Sequence, residues 1–489
     1  MINRGEVMHG LLARLRVVSP VQLAFFGSLL LSLVAVMGEV TIGKDGAFYV
    51  DIAATFLESG LAAAFDRFNW PWFSVLLGSL HGLTGIPTEA LAYLLCALFM
   101  AGTCALLVDI TLQRAPQAGY WACLVVLAMP AFNSFRGDVL REFGFWFFSV
   151  LALWQAMRWA QRPSWTGGVL IQLAIGLAAL FRMEAVLLMP ALAVWQLSLL
   201  RSFAGLRTFI QLNLLPLLLV VAGVIGLLVA NVSLGRLADY AEMLDPRQIQ
   251  KGFEAKADLL GETVMHRFSA NDGGEVLFFG LLGSVLLKFL KLFGPFLVPF
   301  FFSQGRAAVK QYVQDYKPFV WTLLFYFVVI MLFYIQQLFM NARYLSFLNM
   351  LAVPAAVIAF AWFAQQFPRW SKALAFVALL VMLDNVISLS AKKTHYVDSG
   401  RWIGANLDPA ASIYYEDSRI AYHAGRGYPK RGVAPRMAMS EAYRERYDYF
   451  VIEADGDEQW LLEWLQQHDL RVIEKFANRK KDTVLVIGN

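Results

Sequence analysis

Long apolar runs recur along the chain, near 21–38, 89–112, 118–133, 143–160, 166–181, 183–200, 209–230, 276–302, 318–338, 344–364 and 373–390. A helix needs roughly 20 apolar residues to cross a bilayer core. The pattern predicts about eleven membrane-spanning helices. Lys288 and Lys291 interrupt the 276–302 run, so it is expected to begin as an interfacial helix whose lysines reach toward head groups. Region 71–85 is apolar but short and broken by Pro71 and Gly78, and reads as re-entrant or interfacial.

Between the first two spans the pattern changes. From Lys44 to Gly60 a helix would place Asp51, Thr55, Glu58 and Ser59 on one side. Tyr49, Val50, Ala53, Ala54, Leu57 and Leu61 fall opposite. Such a helix should lie flat on a membrane, apolar side down, with its carboxylates in water. Asp45 precedes it, where a carboxylate can cap free backbone N–H groups. This loop is expected to roof an active site.

Two further stretches are polar. Segment 231–275 is charged and helix-compatible, ending in Asn271–Gly274 with hinge freedom. From about Lys392 the chain alternates strand-like and helix-like patterns. A-S-I-Y-Y-E, Y-D-Y-F-V-I-E, L-R-V-I-E-K-F and T-V-L-V-I-G read as strands, and V-D-S-G-R-W-I-G-A-N-L and D-E-Q-W-L-L-E-W-L-Q-Q-H as helices. That alternation predicts a small soluble α/β domain.

Composition agrees with a membrane protein: 58% of the 489 residues are hydrophobic and only 16% charged. The net charge of +5 does not point to nucleic acid. With the N-terminus in the cytoplasm, Arg114, Arg158, Arg162, Arg201, Arg207, Arg306, Lys310, Lys317, Arg369 and Lys372 all fall in cytoplasmic loops. Asp45, Asp51, Glu58, Asp66, Asp138 and Glu142 fall on the other side, and an odd span count sends the tail there too. Arg4, Arg14 and Arg16 before the first run resemble a signal peptide, but the length of the run favours a retained span. Cys96, Cys104 and Cys123 lie inside spans and read as small buried hydrophobes.

Ionisable groups at membrane depth are functional candidates. Asp45, Asp51, Glu58, Asp138, Glu142, Arg182, Glu184 and Arg343 all map to outer span ends. Asp138 and Glu142 are four apart, hence on one face if their turn is helical. Plainer uses exist for each. Asp45 would cap a helix, Asp51 and Glu58 would line a solvated face, and Asp138 and Glu142 would pair with Arg136 or Arg141. Arg182 and Glu184 would pair at a helix break, and Arg343 would reach lipid head groups.

The ordered set D-G-A-F-Y-V-D-I-A, N-W-P-W-F-S-V-L-L-G-S-L, R-G-D-V-L-R-E, G-L-A-A-L-F-R-M-E-A-V-L-L-M-P and N-A-R-Y-L-S-F-L-N-M-L spans most of 40–365. In this order it resembles the GT-C membrane glycosyltransferases that use polyprenyl-phosphate sugars, grouped with protein O-mannosyltransferases and lipid A aminoarabinose transferases. The resemblance implies an α-helical multispan fold over 1–391, with first outer loop 39–88, and a soluble α/β domain over 392–489 on the periplasmic side of a bacterial inner membrane. It places a catalytic carboxylate at Asp45, where many relatives carry Asp-Glu and this chain has Asp45-Gly46. Either Asp138 or Glu142 matches a second acidic position. Arg343 matches the late R-Y motif, and Arg182 with Glu184 an R-x-E. Lys44, Asp51 and Tyr344 join Arg182, Glu184 and Arg343 as substrate-binding candidates. No metal or other cofactor is expected, the lipid-phosphate sugar being a co-substrate.

The chemistry suits these residue types. A lipid phosphate is already a good leaving group, so only the acceptor hydroxyl needs a base. The departing phosphate needs fixed positive charge, which a guanidinium supplies bidentately. Direct attack would invert the anomeric carbon. The expected partners are the polyprenyl-phosphate donor, a glycan, lipid or protein acceptor, and membrane lipids. Rival readings are a lipid-linked glycan ligase, a transporter or flippase, and a membrane scaffold.

Overall fold

The computed structural model describes residues 18–230, 245–387, 390–429 and 433–489. The basic N-terminal arginines and residues 231–244 of the second polar segment lie outside them. Two compact units result. One comprises the chain up to Leu31, Ala97–Arg136 and Arg141–Val386. The other gathers Ser32–Cys96, Gly137–Leu140 and Ile387–Asn489. The tail therefore groups with the first loop.

Eight helices among the described residues are long and apolar enough to cross a membrane. Seven coincide with expected runs: Pro20–Met37, Thr88–Arg114, Met183–Arg201, Phe203–Gly223, Ala270–Phe301, Lys317–Gln337 and Ala342–Gln366. The eighth, Lys44–Arg67, was expected at the surface. The other runs are helical but shorter or more polar: Glu142–Trp159, Trp165–Phe181 and Pro368–Val386. The 118–133 run is split into Tyr120–Ala128 and Pro130–Asn133. Pro130 lacks an N–H and holds Met129 extended, which ends the first piece.

The core of the first unit is the Ala342–Gln366 helix, apolar on every side and buried along nearly its whole length. Its polar members are satisfied inside. Asn349 donates to Phe289 O (2.9 Å), and Tyr312 OH donates to Leu351 O beside the turn that Pro354 weakens. Lys256 of the Pro246–Thr263 helix donates to Ile335 O and Gln336 O, orphan carbonyls at the end of Lys317–Gln337. Lys288 donates to Met340 O (3.1 Å), so it ties down the approach to Asn341 instead of reaching for head groups. Gly273 is helical, not a hinge; a side chain there would strike Ala257 O at 2.4 Å, so it admits close helix packing.

In the second unit, Lys44–Arg67 kinks at Gly60, whose φ of 82° suits glycine. Gly78 does not break region 71–85, which forms one helix, Trp72–Thr84. A Cβ at Gly78 would lie 2.8 Å from Phe56 and 3.1 Å from Ala53 O, so this glycine lets the two helices touch. Of the side expected to lie on the membrane, Tyr49, Val50 and Ala53 are buried inside the protein instead, whereas Ala54, Leu57 and Leu61 are exposed. Asp51 does not face water; it is held by Arg67 and by the tail.

The tail forms the expected α/β domain. Its strands β1 (Ile413–Tyr415), β2 (Tyr449–Glu453), β3 (Arg471–Ala477) and β4 (Thr483–Gly488) lie in the order β1-β2-β4-β3, with only β1 and β2 parallel. Strand β4 is buried throughout because both faces are covered. Leu485 and Ile487 pack with Phe450, Ile452, Leu461 and Leu465 on one face. Val484 and Val486 pack with Val451, Tyr396 and Ile403 on the other. Period-two alternation thus selects which helix each residue meets.

Polar contacts fasten the tail to the first loop. Lys44 Nζ lies 3.0 Å from Asp417 Oδ2, Thr41 Oγ1 2.7 Å from His423 Nε2, and Tyr422 OH donates to Glu89 (2.7 Å). Burial pushes the His423 imidazole below its ordinary range; Glu89 opposes this, while Arg401 and Arg419 add to it. The unfolded chain then takes up this proton at higher pH than the folded one. The contribution of His423 to stability is complete above about pH 6.5 and is lost as the pH falls through its folded value. A melting temperature that declines from pH 7 to 5, with the decline reduced in His423→Gln, is expected; parallel curves would remove this histidine as the cause.

Candidate functional site

Within the first unit, three chain breaks bring charges together. Glu142 opens the Glu142–Trp159 helix, where a carboxylate suits the macrodipole. Arg182 is extended between the Trp165–Phe181 helix and the 3₁₀ turn Met183–Leu187. Arg343 lies in the first turn of Ala342–Gln366, whose Asn341 cap accepts from the Arg343 N–H (3.1 Å).

These side chains form one network. Arg182 Nη1 donates to Glu142 Oε1 (2.8 Å), and Arg343 Nε lies 3.2 Å from the same oxygen. Arg182 also grips Glu184 through Nη2 (2.5 Å) and Nε (3.3 Å). The Arg182 guanidinium lies 4.6 Å from the Tyr344 ring centroid, and Tyr326 OH donates to Tyr344 O (3.1 Å). Glu142 is almost fully buried, 3% exposed, and its Oε2 has no hydrogen-bond partner among the described residues. Arg141 is within electrostatic reach of Glu184. Two guanidiniums thus meet two carboxylates, with that of Arg141 within electrostatic reach.

Gly144 makes this approach possible. A Cβ there would fall 2.3 Å from the Phe181 ring, so a side chain would push Phe181, and with it Arg182, off the Glu142 helix. The R-E-F-G spacing carries that signal, which the sequence pattern alone did not reveal; Arg141 was expected only as a local partner of Asp138 or Glu142, and Tyr326 was not singled out.

The second unit holds the other candidates. Asp45 is in the first turn of Lys44–Arg67, one residue inside the helix, while Gly43 occupies the cap position. A carboxylate in that turn still meets the positive end of the helix. Asp138 stands beside this start: a Cβ on Gly43 would be 3.0 Å from its Oδ1. Residues 134–141 are not helical, so Asp138 and Glu142 share no helix face. Each is instead recruited by a different unit, Asp138 to the loop and Glu142 to the guanidiniums.

Lys44 and Asp51 are both engaged by the tail. Asp51 accepts from the Tyr428 N–H (2.9 Å) and from Arg67 Nη2 (2.5 Å), and Arg67 also donates to Tyr428 O (2.8 Å). Lys44 meets Asp417, which Arg419 grips bidentately at 2.9 and 2.8 Å. Burial would raise the Asp417 carboxyl, but the Arg419 hydrogen bonds and charge, joined by Lys44, outweigh it and hold it at about 2. Arg67, Asp417 and Arg419 were not singled out in the sequence; nothing local marks their partners.

Gly46 follows Asp45, at the position where the resemblance led to the expectation of a second carboxylate. Its Cβ would lie 2.7 Å from Ile42 Cγ1 and 2.8 Å from Val139 Cβ. The space for a second carboxylate is therefore filled by Ile42 and Val139. Gly46→Ala should destabilise by about 1–3 kcal/mol through overpacking, read as a lower melting temperature; an unchanged melt would show that the segment gives way freely.

The sequence matches no family model and no curated protein. Solved structures do match. ArnT from Cupriavidus metallidurans, in the apo state, superposes over 95% of this chain and 97% of its own, with a TM-score of 0.57 at 14% identity. An Archaeoglobus fulgidus oligosaccharyltransferase, solved with zinc and sulfate, covers 87% of this chain and 68% of its own, with a TM-score of 0.48 at 11% identity. The likeness to ArnT extends over membrane bundle and tail alike.

Proposed function

Taking a GT-C fold in an integral membrane protein as the premise, we propose that the chain is an inverting glycosyltransferase. It moves a sugar from a polyprenyl-phosphate donor to an acceptor hydroxyl on the outer face of the cytoplasmic membrane. The N-terminus is then cytoplasmic and the tail periplasmic. The observation that supports this best is the Arg182–Glu142–Arg343 network. Counting Arg141 and Glu184 with it, three guanidiniums stand against two carboxylates, one positive charge in excess, which matches a phosphodiester carrying one negative charge. As the glycosidic bond breaks, the leaving phosphate gains a second negative charge. Fixed guanidiniums then bind the transition state better than the ground state.

In this reading Asp45 is the general base for the acceptor hydroxyl, and Asp138 assists at the start of the same helix. The hydroxyl oxygen bonds to the anomeric carbon, its proton passes to the carboxylate, and the phosphate leaves with the bonding pair. Arg182, Arg343 and Tyr344 hold the donor phosphate, and Glu184 orients Arg182. The full chain in lipid nanodiscs, given a polyprenyl-phosphate-linked sugar and candidate glycan, lipid and protein acceptors, should release polyprenyl phosphate and form a product of inverted configuration. Retained configuration, or transport of intact donor without release, would overturn the proposal. Transfer of long lipid-linked chains in preference to single sugars would instead identify a glycan ligase.

A further inference from the structure

An apolar cavity in the first unit is not explained by the reaction. It has a volume of about 420 Å³, within the range of small-molecule sites. One wall is the start of the Pro368–Val386 helix, through Trp370, Ala373, Leu374 and Val377. These are i, i+3, i+4 and i+7, a single stripe about 10 Å long. The other wall is Phe363 and Phe367 with Val298 and Phe302. The cavity is therefore a slot that follows a helix for two turns, the shape of an extended hydrocarbon chain.

Its end is charged. Arg369 and Lys372 form the adjacent row of the same helix, and both are exposed. Phe302, whose ring lies 5.3 Å from Phe367, leads into the Ser303–Asp315 helix with exposed Arg306 and Lys310. Arg306 donates to Phe301 O (2.9 Å), which holds it at that end. The segments 295–314 and 366–383 contain these four cations and no Asp or Glu. Trp370 is 71% exposed at the charged end, as expected of a ring at a membrane interface.

We propose that this slot binds one acyl chain of an anionic phospholipid, with the phosphate between Arg369 and Lys372 at the start of Pro368–Val386. The acyl chain covers the apolar side chains that line the slot, and the two cations select the head-group charge. The site takes a resident membrane lipid, not the sugar donor, and stands whether or not the proposed transfer reaction is correct.

The test is native mass spectrometry of the full chain, delipidated in detergent and titrated with phosphatidylglycerol or phosphatidylcholine. One phosphatidylglycerol should stay bound at concentrations where phosphatidylcholine does not. R369Q with K372Q should weaken phosphatidylglycerol about tenfold or more and leave phosphatidylcholine unchanged. Ala373→Trp should abolish retention by filling the slot, and Ala373→Leu, a gentler filling, should reduce it if the tryptophan variant does not fold. Equal binding of both lipids, retention by Ala373→Leu at the parent level, or a dimer that loses the sites on lipid addition would overturn the proposal, the last by making a second copy the occupant.

Discussion

Asp45→Asn is expected to lower sugar transfer by about 10²–10⁴-fold, the usual contribution of a positioned base. The helix Lys44–Arg67 starts at Lys44, so Asp45 is not its cap and the fold does not require its carboxylate for that purpose. Loss of the charge near the helix N-terminus costs only about 0.3–1 kcal/mol. The measurement is release of polyprenyl phosphate by parent and variant, beside thermal melts of both. Equal rates would remove Asp45 as the base and move attention to Asp138, which stands against Gly43 at the same helix start.

Glu142→Gln is expected to do the reverse: a large loss of stability first, and loss of activity with it. One oxygen of Glu142 serves both Arg182 and Arg343 in a nearly water-free place. At an effective dielectric constant near 20, opposite charges about 4 Å apart attract by about 4 kcal/mol. Removing one partner of a buried ion pair typically costs about 3–5 kcal/mol because the other charge remains. Glutamine keeps the shape and one acceptor oxygen but not the charge, so a value near 3 kcal/mol is expected here. Glu184→Gln should cost less, since Glu184 is more exposed and Arg182 would keep Glu142. The check is the order of melting temperatures: parent above Glu184→Gln, above Glu142→Gln. A Glu142→Gln protein as stable as the parent would show that the network carries no structural weight.

Much of the architecture was legible in the chain. The apolar runs predict helices because a 3.6-residue repeat with no polar side has no other way to satisfy its backbone in lipid. The tail strands were legible for the opposite reason: β2 and β4 are short β-branched runs bounded by turn residues. The R-M-E and N-A-R-Y motifs led to Arg182, Glu184, Arg343 and Tyr344, which do meet. Several local readings differed. Gly78 and Gly273 read as breaks, but glycine marks close packing as well as flexibility, and only the neighbour across the gap distinguishes the two. The pattern put Asp51 in water, but a 3.6-residue wheel cannot show that the tail, more than three hundred residues later, covers that side.

By itself the chain determined the class of molecule, the ends of most helices, the α/β tail and the types of residue available for chemistry. Those follow from local periodicity and from the cost of placing charge in lipid, both properties of a stretch and its solvent. Only the tertiary structure decided the partners. It assigned Asp138 to the loop and Glu142 to the guanidiniums although four residues separate them in sequence, closed the place of a second carboxylate at Gly46, and gave Lys44 and Asp51 to the tail. Ion pairs and close contacts depend on distances between segments remote in sequence, and a linear pattern contains no such distance.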